Sequence, residues 1–354
     1  MTKDIYLKKR VKSIEVRKRS ISELLTEMAE TAFQGRRLGE VVEVWEEMLK
    51  EEDLTIVMGL AGSLSTAGQW KMVNWLIENR YIDVLVSTGA NISEDIVEAM
   101  GGSYWQGNPN VNDAELLKSD INRYYDVYGL EADYRKMEEL LADFIFTLDP
   151  EYPYSSMEFL FKLGKWLNGK GIKSIVAVAA EHKVPIFCPA IADSAYGEAF
   201  LLAKSRGHNL IIDGMKDFYQ FMSIGENTGD VGVIYIGGGV PKDFTQLLAV
   251  SLSLKVRDKR VKRRKGFACK ATGEYYYPHK YAIQITTDSP PHWGGLSGCT
   301  LEEAVSWGKI AAEGKKVTCY CDATIALPLI THALNERVNF KRKAPDFSWL
   351  LERN

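Results

Sequence analysis

From residue 54 onward the chain repeats one rhythm. A short continuous apolar, β-branched run leads into a small-residue or polar turn, and then into a segment with apolar positions three and four apart. The run Leu54–Leu60 is followed by the turn 61–68 and a helical pattern through Glu78. The run 83–87 is followed by Thr88-Gly-Ala-Asn91 and a helical pattern from Ser93. Further strand-like runs cover 184–188, 210–212, 231–236, 281–286 and 317–321, most of them followed by helical spacing. Strands that read as unbroken apolar runs are buried on both faces, which predicts an α/β fold with a mostly parallel sheet covered by helices. Residues 103–180 break the rhythm with aromatic and acidic segments that read as a helical layer within the same domain. Ahead of the first strand, Ser20 and Ser22 are placed to cap a helix beginning near Glu23, and Leu38, Val41, Val42, Val44, Trp45 and Leu49 have helical spacing. The expected organisation is an N-terminal helical arm over 1–50 and a single α/β domain over 51–340. The basic residues Lys8, Lys9, Arg10, Lys12, Arg17, Lys18 and Arg19 form either a solvated arm or a contact with a neighbouring subunit.

Composition narrows the class without naming a function. The 354 residues are 46% hydrophobic and 26% charged, as in ordinary globular proteins, and the net charge of −3 gives no general attraction to nucleic acid or anionic lipid. The start carries no apolar signal core, and no run of about 18 apolar residues follows, so no membrane span is expected. Five cysteines without paired C-x-x-C spacing point to reduced thiols and a cytoplasmic setting.

Candidate chemistry is densest in residues 294–309. Thr300 with Glu303 three residues later is a capping box, which predicts a helix from Leu301, and Gly308 can end it in the left-handed conformation. Lys309 then sits just past a short acidic, aromatic helix. Glu303 and Trp307, four apart, share a face able to hold a cation between carboxylate and indole. An amine against apolar surface and near other amines loses its proton readily and becomes a nucleophile. A cap, a packed indole and a surface lysine would account for the same three residues.

Three turns have the character of a phosphate or nucleotide cradle: Gly237-Gly-Gly239 after a strand, Gly62-Ser-Leu-Ser-Thr66, and Thr88-Gly-Ala90. Tight turning alone explains each; three at strand ends of one sheet point to a dinucleotide. Asp193 and Asp322 also follow strand-like runs, where a carboxylate can accept from ribose hydroxyls. No H-E-x-x-H, G-x-S-x-G or Walker A pattern occurs, and the histidines show no ligand spacing, so no metal site is expected.

The run Glu303-Ala-Val-Ser-Trp-Gly-Lys309, followed by Lys316-Val-Thr-Cys-Tyr-Cys-Asp322-Ala323, resembles the active-site region of deoxyhypusine synthases. So do Ile82-Asp-Val-Leu-Val-Ser-Thr88, Pro189-Ala-Ile-Ala-Asp193 and Ile236-Gly-Gly-Gly-Val240. The motifs keep the family's order and span about residues 30 to 335. The resemblance implies a Rossmann-like fold, a homotetramer with active sites between paired subunits, and an NAD-dependent aminobutyltransferase. Spermidine is oxidised and cleaved, 1,3-diaminopropane leaves, and the butylimine is held on a lysine before transfer to a lysine of the hypusine-bearing translation factor. By motif, Lys309 takes the imine-forming role, with Glu303 and Trp307 beside the polyamine. Gly62, Ser63, Leu64, Ser65, Thr66, Thr88, Gly89, Ala90, Glu94, Asp193, Gly237, Gly238, Ser297, Asp322 and Ala323 fall where the family contacts NAD.

Three substrate positions depart from the family pattern and resemble its divergent prokaryotic branch. Asp243 stands where the family has a histidine, Glu198 where it has an aspartate, and Leu296 replaces an aspartate before Ser297-Gly298. Glu198 and Asp243 therefore join Glu303 and Trp307 as expected polyamine contacts. Residues 255–279 look like a basic and aromatic insertion, read as a solvated loop or as a site for an acidic partner, with nucleic acid not expected. The reading that follows is deoxyhypusine formation. The alternative keeps the mechanism but uses a free diamine such as putrescine to give homospermidine, and a third is a non-catalytic NAD- or polyamine-binding protein, against which the intact Lys309 argues.

Overall fold

The computed structural model describes residues 7–257, 268–269, 275–290 and 298–352. Ser297, Leu296 and most of the basic run 255–265 lie outside the described residues. The main sheet has six parallel strands: β1 (Leu54–Leu60), β2 (Val84–Ser87), β3 (Ile186–Phe187), β4 (Asp230–Ile236), β5 (His279–Thr286) and β6 (Ile310–Tyr320). Their spatial order is 3-2-1-4-5-6. That is the doubly wound order of dinucleotide-binding folds, in which the connections leave toward opposite faces on either side of the β1/β4 pair. β1 and β2 are buried at every position and so covered on both sides, whereas β6 at the sheet edge is buried only at Ile310, Val317 and Cys319.

Alternation along the strands sorts the core into two layers. Ile56, Met58 and Leu60 of β1 face one layer with Ile234, Ile236, Ile283 and Ile285, whereas Val57 faces the other with Val84, Val86, Val233 and Tyr235. The first layer is closed by α1 (Ile21–Ala29), α2 (Phe33–Lys50), α3 (Trp70–Glu78), α4 (Gly89–Ala99), α5 (Glu131–Ile145), α6 (Ser156–Gly169), α7 (Ile175–Glu181) and α8 (Ala195–Ser205). The second is closed mainly by α9 (Gly214–Asn227) and α10 (Gly239–Arg257). The short α11 (Glu303–Ser306) precedes β6, and α12 (Ala323–Arg337) follows it.

Several expectations shift in detail. Ser20 caps α1 in a full capping box with Glu23. Within 1–50, α2 packs into the core rather than standing off it: Trp45 is fully buried and its indole N–H donates to the Tyr81 carbonyl at 3.3 Å. The run at 210–212 does not join the main sheet; Ile211–Ile212 pairs with Pro153–Tyr154 in a separate two-stranded sheet. Only two residues extend there, half exposed, and β3 already forms the edge of the main sheet. Residues 103–180 are not helical alone. They carry a three-stranded antiparallel sheet of Tyr104–Gln106, Val127–Leu130 and Ile121–Tyr124, closed by a two-residue turn with Tyr125 in the left-handed region. Its mixed aromatic and polar residues hide the period of two, and a tyrosine is not a usual turn signal. α4 starts at Gly89, four residues before the expected Ser93, because extended Thr88 serves as its N-cap.

Candidate functional site

The small-residue turns meet at the carboxyl ends of the strands. Gly62, Ser63, Leu64, Ser65 and Thr66 follow β1, Thr88, Gly89 and Ala90 follow β2, and Gly237 and Gly238 follow β4. The first and last of these flank the β1/β4 switch point, where such sheets bind dinucleotides. Backbone conformation explains the glycines: Gly62 has φ +69° and Gly237 φ +76°, and a Cβ built on Gly62 would project into open space that a ligand can occupy instead. Asp322 caps α12 at the end of β6, its carboxylate accepting from the Thr324 N–H at 2.7 Å, with Ala323 as the first helical residue. Asp193 is exposed in the turn between β3 and α8.

Asn91, which along the sequence only closes the turn that begins at Thr88, ties the first two turns together. Its side chain is fully buried. Nδ2 donates to the carbonyls of Ala61 (3.1 Å) and Gly62 (2.9 Å) and to Thr88 Oγ1 (2.8 Å), while Oδ1 accepts from the Leu64 N–H at 2.7 Å. Thr88 Oγ1 in turn donates to the Gly62 carbonyl at 2.7 Å. Glu94, one turn further along α4, accepts from the Ser63 hydroxyl. Burial raises the Glu94 carboxyl above its ordinary range, opposed by the Ser63 and Tyr124 hydroxyls.

The second half of the site is a cleft of about 690 Å³ on the α10 side of the sheet. Asp243, Phe244 and Leu247 of α10 form one wall, and Gly298, Cys299, Glu303, Trp307 and Lys309 the other. The capping box is present: Glu303 N–H donates to Thr300 Oγ1 at 3.0 Å, and the Glu303 carboxylate accepts from the Thr300 N–H at 2.6 Å. The Thr300 backbone N–H is the main reason the Glu303 carboxyl lies below its ordinary range. The helical turn is shorter than expected, beginning at Glu303, and it ends through Gly308 at φ +75° with Lys309 N–H donating to the Ala304 carbonyl at 2.9 Å. That reversal sends the Lys309 side chain back toward α10, where Nζ donates to Gln246 Oε1 at 2.9 Å and lies 5.6 Å from the Trp307 ring centre.

Sequence reading missed the floor of this cleft. Lys242 is almost fully buried and donates to Gln284 Oε1 (3.0 Å) and the Cys299 carbonyl (2.5 Å); burial pushes its amine below the ordinary lysine range. His279 is buried with neither ring nitrogen partnered among the described residues, and burial together with the Lys309 charge lowers it to about 3, so it stays neutral. The available signal was the four-residue spacing of Lys242 and Gln246, which puts both on one face of a helix. Asp243, Glu303, Trp307 and Lys309 thus share one cleft. Glu198 does not line it: it sits in the first turn of α8, where its neighbour is Glu138 of α5.

Comparison with known proteins bears on this pair of subsites. A family model described as "Deoxyhypusine synthase" matches residues 23–334. "Probable deoxyhypusine synthase 2" of Methanosarcina mazei is 46% identical over 339 residues, covering 95% of this chain and 93% of that protein. The protein of the same description from Archaeoglobus fulgidus is 49% identical over 307 residues, covering 87% and 95%. A "Deoxyhypusine synthase-like protein" of Chlorobaculum tepidum is 36% identical over 360 residues, covering 99% and 97%. Among solved structures, one described as "a putative deoxyhypusine synthase from Entamoeba histolytica" matches with a TM-score of 0.60 at 20% identity, covering 90% of this chain and 94% of that one, a likeness of fold.

Proposed function

This chain belongs to the deoxyhypusine synthase family, and from that premise we propose that it is an aminobutyltransferase that carries the four-carbon unit of spermidine on Lys309 and passes it to an acceptor amine, the lysine of the hypusine-bearing translation factor. The observation that carries the reading is the convergence of Lys309, Trp307, Glu303 and Asp243 on one cleft. A flexible polycation needs carboxylates to hold its ammonium groups and an aromatic face to lie against, and Glu303, Asp243 and Trp307 supply these around a single nucleophilic amine.

The residues at the β1/β4 switch point fit NAD. Gly62 leaves space where a side chain would stand, and Gly237 and Gly238 let backbone amides approach a pyrophosphate. Ser63, Leu64, Ser65, Thr66, Thr88, Gly89, Ala90, Asp322 and Ala323 would line the crevice, with Glu94 and Asp193 as acceptors for its hydroxyls. Bound NAD would supply a hydride acceptor that later returns the hydride. Lys309 attacks the oxidised carbon of the donor, and the departing amine takes the proton the lysine gives up. The half-buried setting of Lys309 limits competition from water. The homotetramer implied by the family is part of the proposal, because Glu198 lies away from this chain's own cleft.

One observation favours a second acceptor. Asp243 places an extra carboxylate opposite Glu303, and a free diamine such as putrescine brings a second ammonium that such a group would hold, giving homospermidine. The test is to incubate the protein with spermidine and NAD, with either putrescine or the translation factor present, and to trap the intermediate with borohydride. A butylamine mass on the Lys309 peptide, absent in Lys309→Ala, is expected; a labelled peptide centred on another lysine would sink the assignment. Asp243→Asn is expected to change acceptor use more than diaminopropane release. Equal loss of both would tie Asp243 to the donor or to structure.

A further inference from the structure

Beneath the cleft lies a buried polar cluster whose geometry is not accounted for by holding a polyamine. Tyr235 of β4 and Gln284 of β5 are register partners, and both face α10. Lys242 and Gln246 descend from α10 onto them. Lys242 is tied off by its two acceptors, Gln284 Oε1 and the Cys299 carbonyl. Gln246 is fully buried, and its amide carbonyl makes its well-formed bonds. Its Oε1 accepts from Lys309 Nζ at 2.9 Å and from Cys299 Sγ at 3.4 Å, while Nε2 faces the buried Tyr235 hydroxyl without closing a well-formed hydrogen bond. An amide buried at such a cost, with its carbonyl spent on the reactive amine, needs an explanation beyond packing.

We propose that Gln246 is a positioning residue for the Lys309 nucleophile: its carbonyl holds one N–H of the amine and turns the remaining positions of the nitrogen toward the cleft. A neutral carbonyl suits this task better than a carboxylate. It can accept from an ammonium and from a neutral amine and carries no net charge, so it fixes direction while favouring the ammonium far less than a carboxylate would. A carboxylate at the same distance would favour the ammonium form and withhold the lone pair. The charged and titratable groups around the amine leave this role to Gln246. Asp243 and Lys242 belong to α10, Glu303 to α11, neutral His279 and the buried Tyr235 to the sheet, and Cys299 to the preceding loop; the Tyr276 ring packs at Gly308. Within hydrogen-bond range of Nζ, Gln246 Oε1 and the more distant Cys299 Sγ at 4.0 Å are the contacts among the described residues.

The inference rests on Lys309 being the nucleophile of the proposed reaction, so the test reads the amine itself. The full chain, without spermidine or NAD, is treated with propanal and cyanoborohydride over a series of pH values, and the mass of the Lys309 peptide is followed. Gln246→Glu is expected to move the half-maximal labelling point upward by about one to three pH units, since only the neutral amine reacts. Gln246→Leu, close in volume and without an acceptor, is expected to slow labelling about tenfold with a smaller shift, the order of one lost hydrogen bond. A Gln246→Glu profile that coincides with the wild type, or an unchanged rate in Gln246→Leu, overturns the assignment. The two variants differ in charge, so misfolding of one leaves the other decisive. If the expected propanal results are obtained but spermidine gives no borohydride-trapped adduct in the wild type, the donor reading falls and the role of Gln246 stands.

Discussion

Replacing Asn91 by alanine separates the scaffold of the proposed NAD crevice from its chemistry. The substitution removes the acceptor of the Leu64 N–H, held at 2.7 Å, and the donor to the Ala61 and Gly62 carbonyls and Thr88 Oγ1. Gly62 keeps the Thr88 hydroxyl and Ser65 keeps its bond to the Asn91 main-chain carbonyl, so these groups are not stranded. The Leu64 N–H is stranded, at about 1–3 kcal/mol for a buried orphan donor. Adding the partly exposed Ala61 carbonyl and the small void left by the amide gives a loss of about 2–4 kcal/mol. Urea unfolding followed by far-UV circular dichroism measures it, with the slope unchanged if the unfolded state is unaffected. NAD affinity, read by titration calorimetry, should fall about tenfold or more, because two turns lose their common anchor. Asn91→Asp discriminates further. It keeps the Leu64 acceptor but buries a charge against two carbonyls, so it should be less stable than Asn91→Ala at neutral pH and recover as the pH falls. A loss below about 0.5 kcal/mol in Asn91→Ala, or wild-type stability of Asn91→Asp at neutral pH, would refute the account.

Other consequences follow from close approaches and buried charge. A Cβ at Gly89 would collide with the Cβ and Oγ of Ser194, so Gly89→Ala should destabilise by about 1–3 kcal/mol, and adding Ser194→Gly should restore most of that in a double-mutant cycle read by thermal melting. Asp95 is fully buried and its carboxyl is pushed up to about 7, with burial as the leading cause. Its folded value is above the unfolded one, so its contribution is fully present below about pH 4 and is lost as the pH rises through about 7. Asp217, pushed up to about 6 by burial, acts in the same direction. Asp95→Asn should therefore flatten, but not abolish, the decline in stability over that window; an unchanged slope in pH-resolved urea titrations would contradict the assignment.

The sequence by itself determined the local pieces of this protein. The apolar runs of β1, β2 and β4 became buried strands, Thr300 and Glu303 formed their capping box, and Gly308 closed the turn that delivers Lys309, because each depends on residues within a few positions of one another. The motif resemblance likewise placed Lys309, Trp307, Glu303 and Asp243, which the fold gathers into one cleft. The tertiary structure decided which pieces meet. Strand pairing is non-local, so the 3-2-1-4-5-6 order that sets the turn after β1 beside the turn after β4 has no signature in either segment. The same reason set Glu198 against Glu138 rather than in the cleft, whereas the three-stranded sheet within 103–180 is built on a local hairpin whose mixed aromatic and polar strands carry no readable period of two. Buried polar residues were hidden most completely. Along the chain Asn91 reads as the end of a turn and Gln246 as an ordinary helical polar residue, and only partners distant in sequence, Ala61 to Leu64 for the one and Lys309 for the other, give them a reason to leave water.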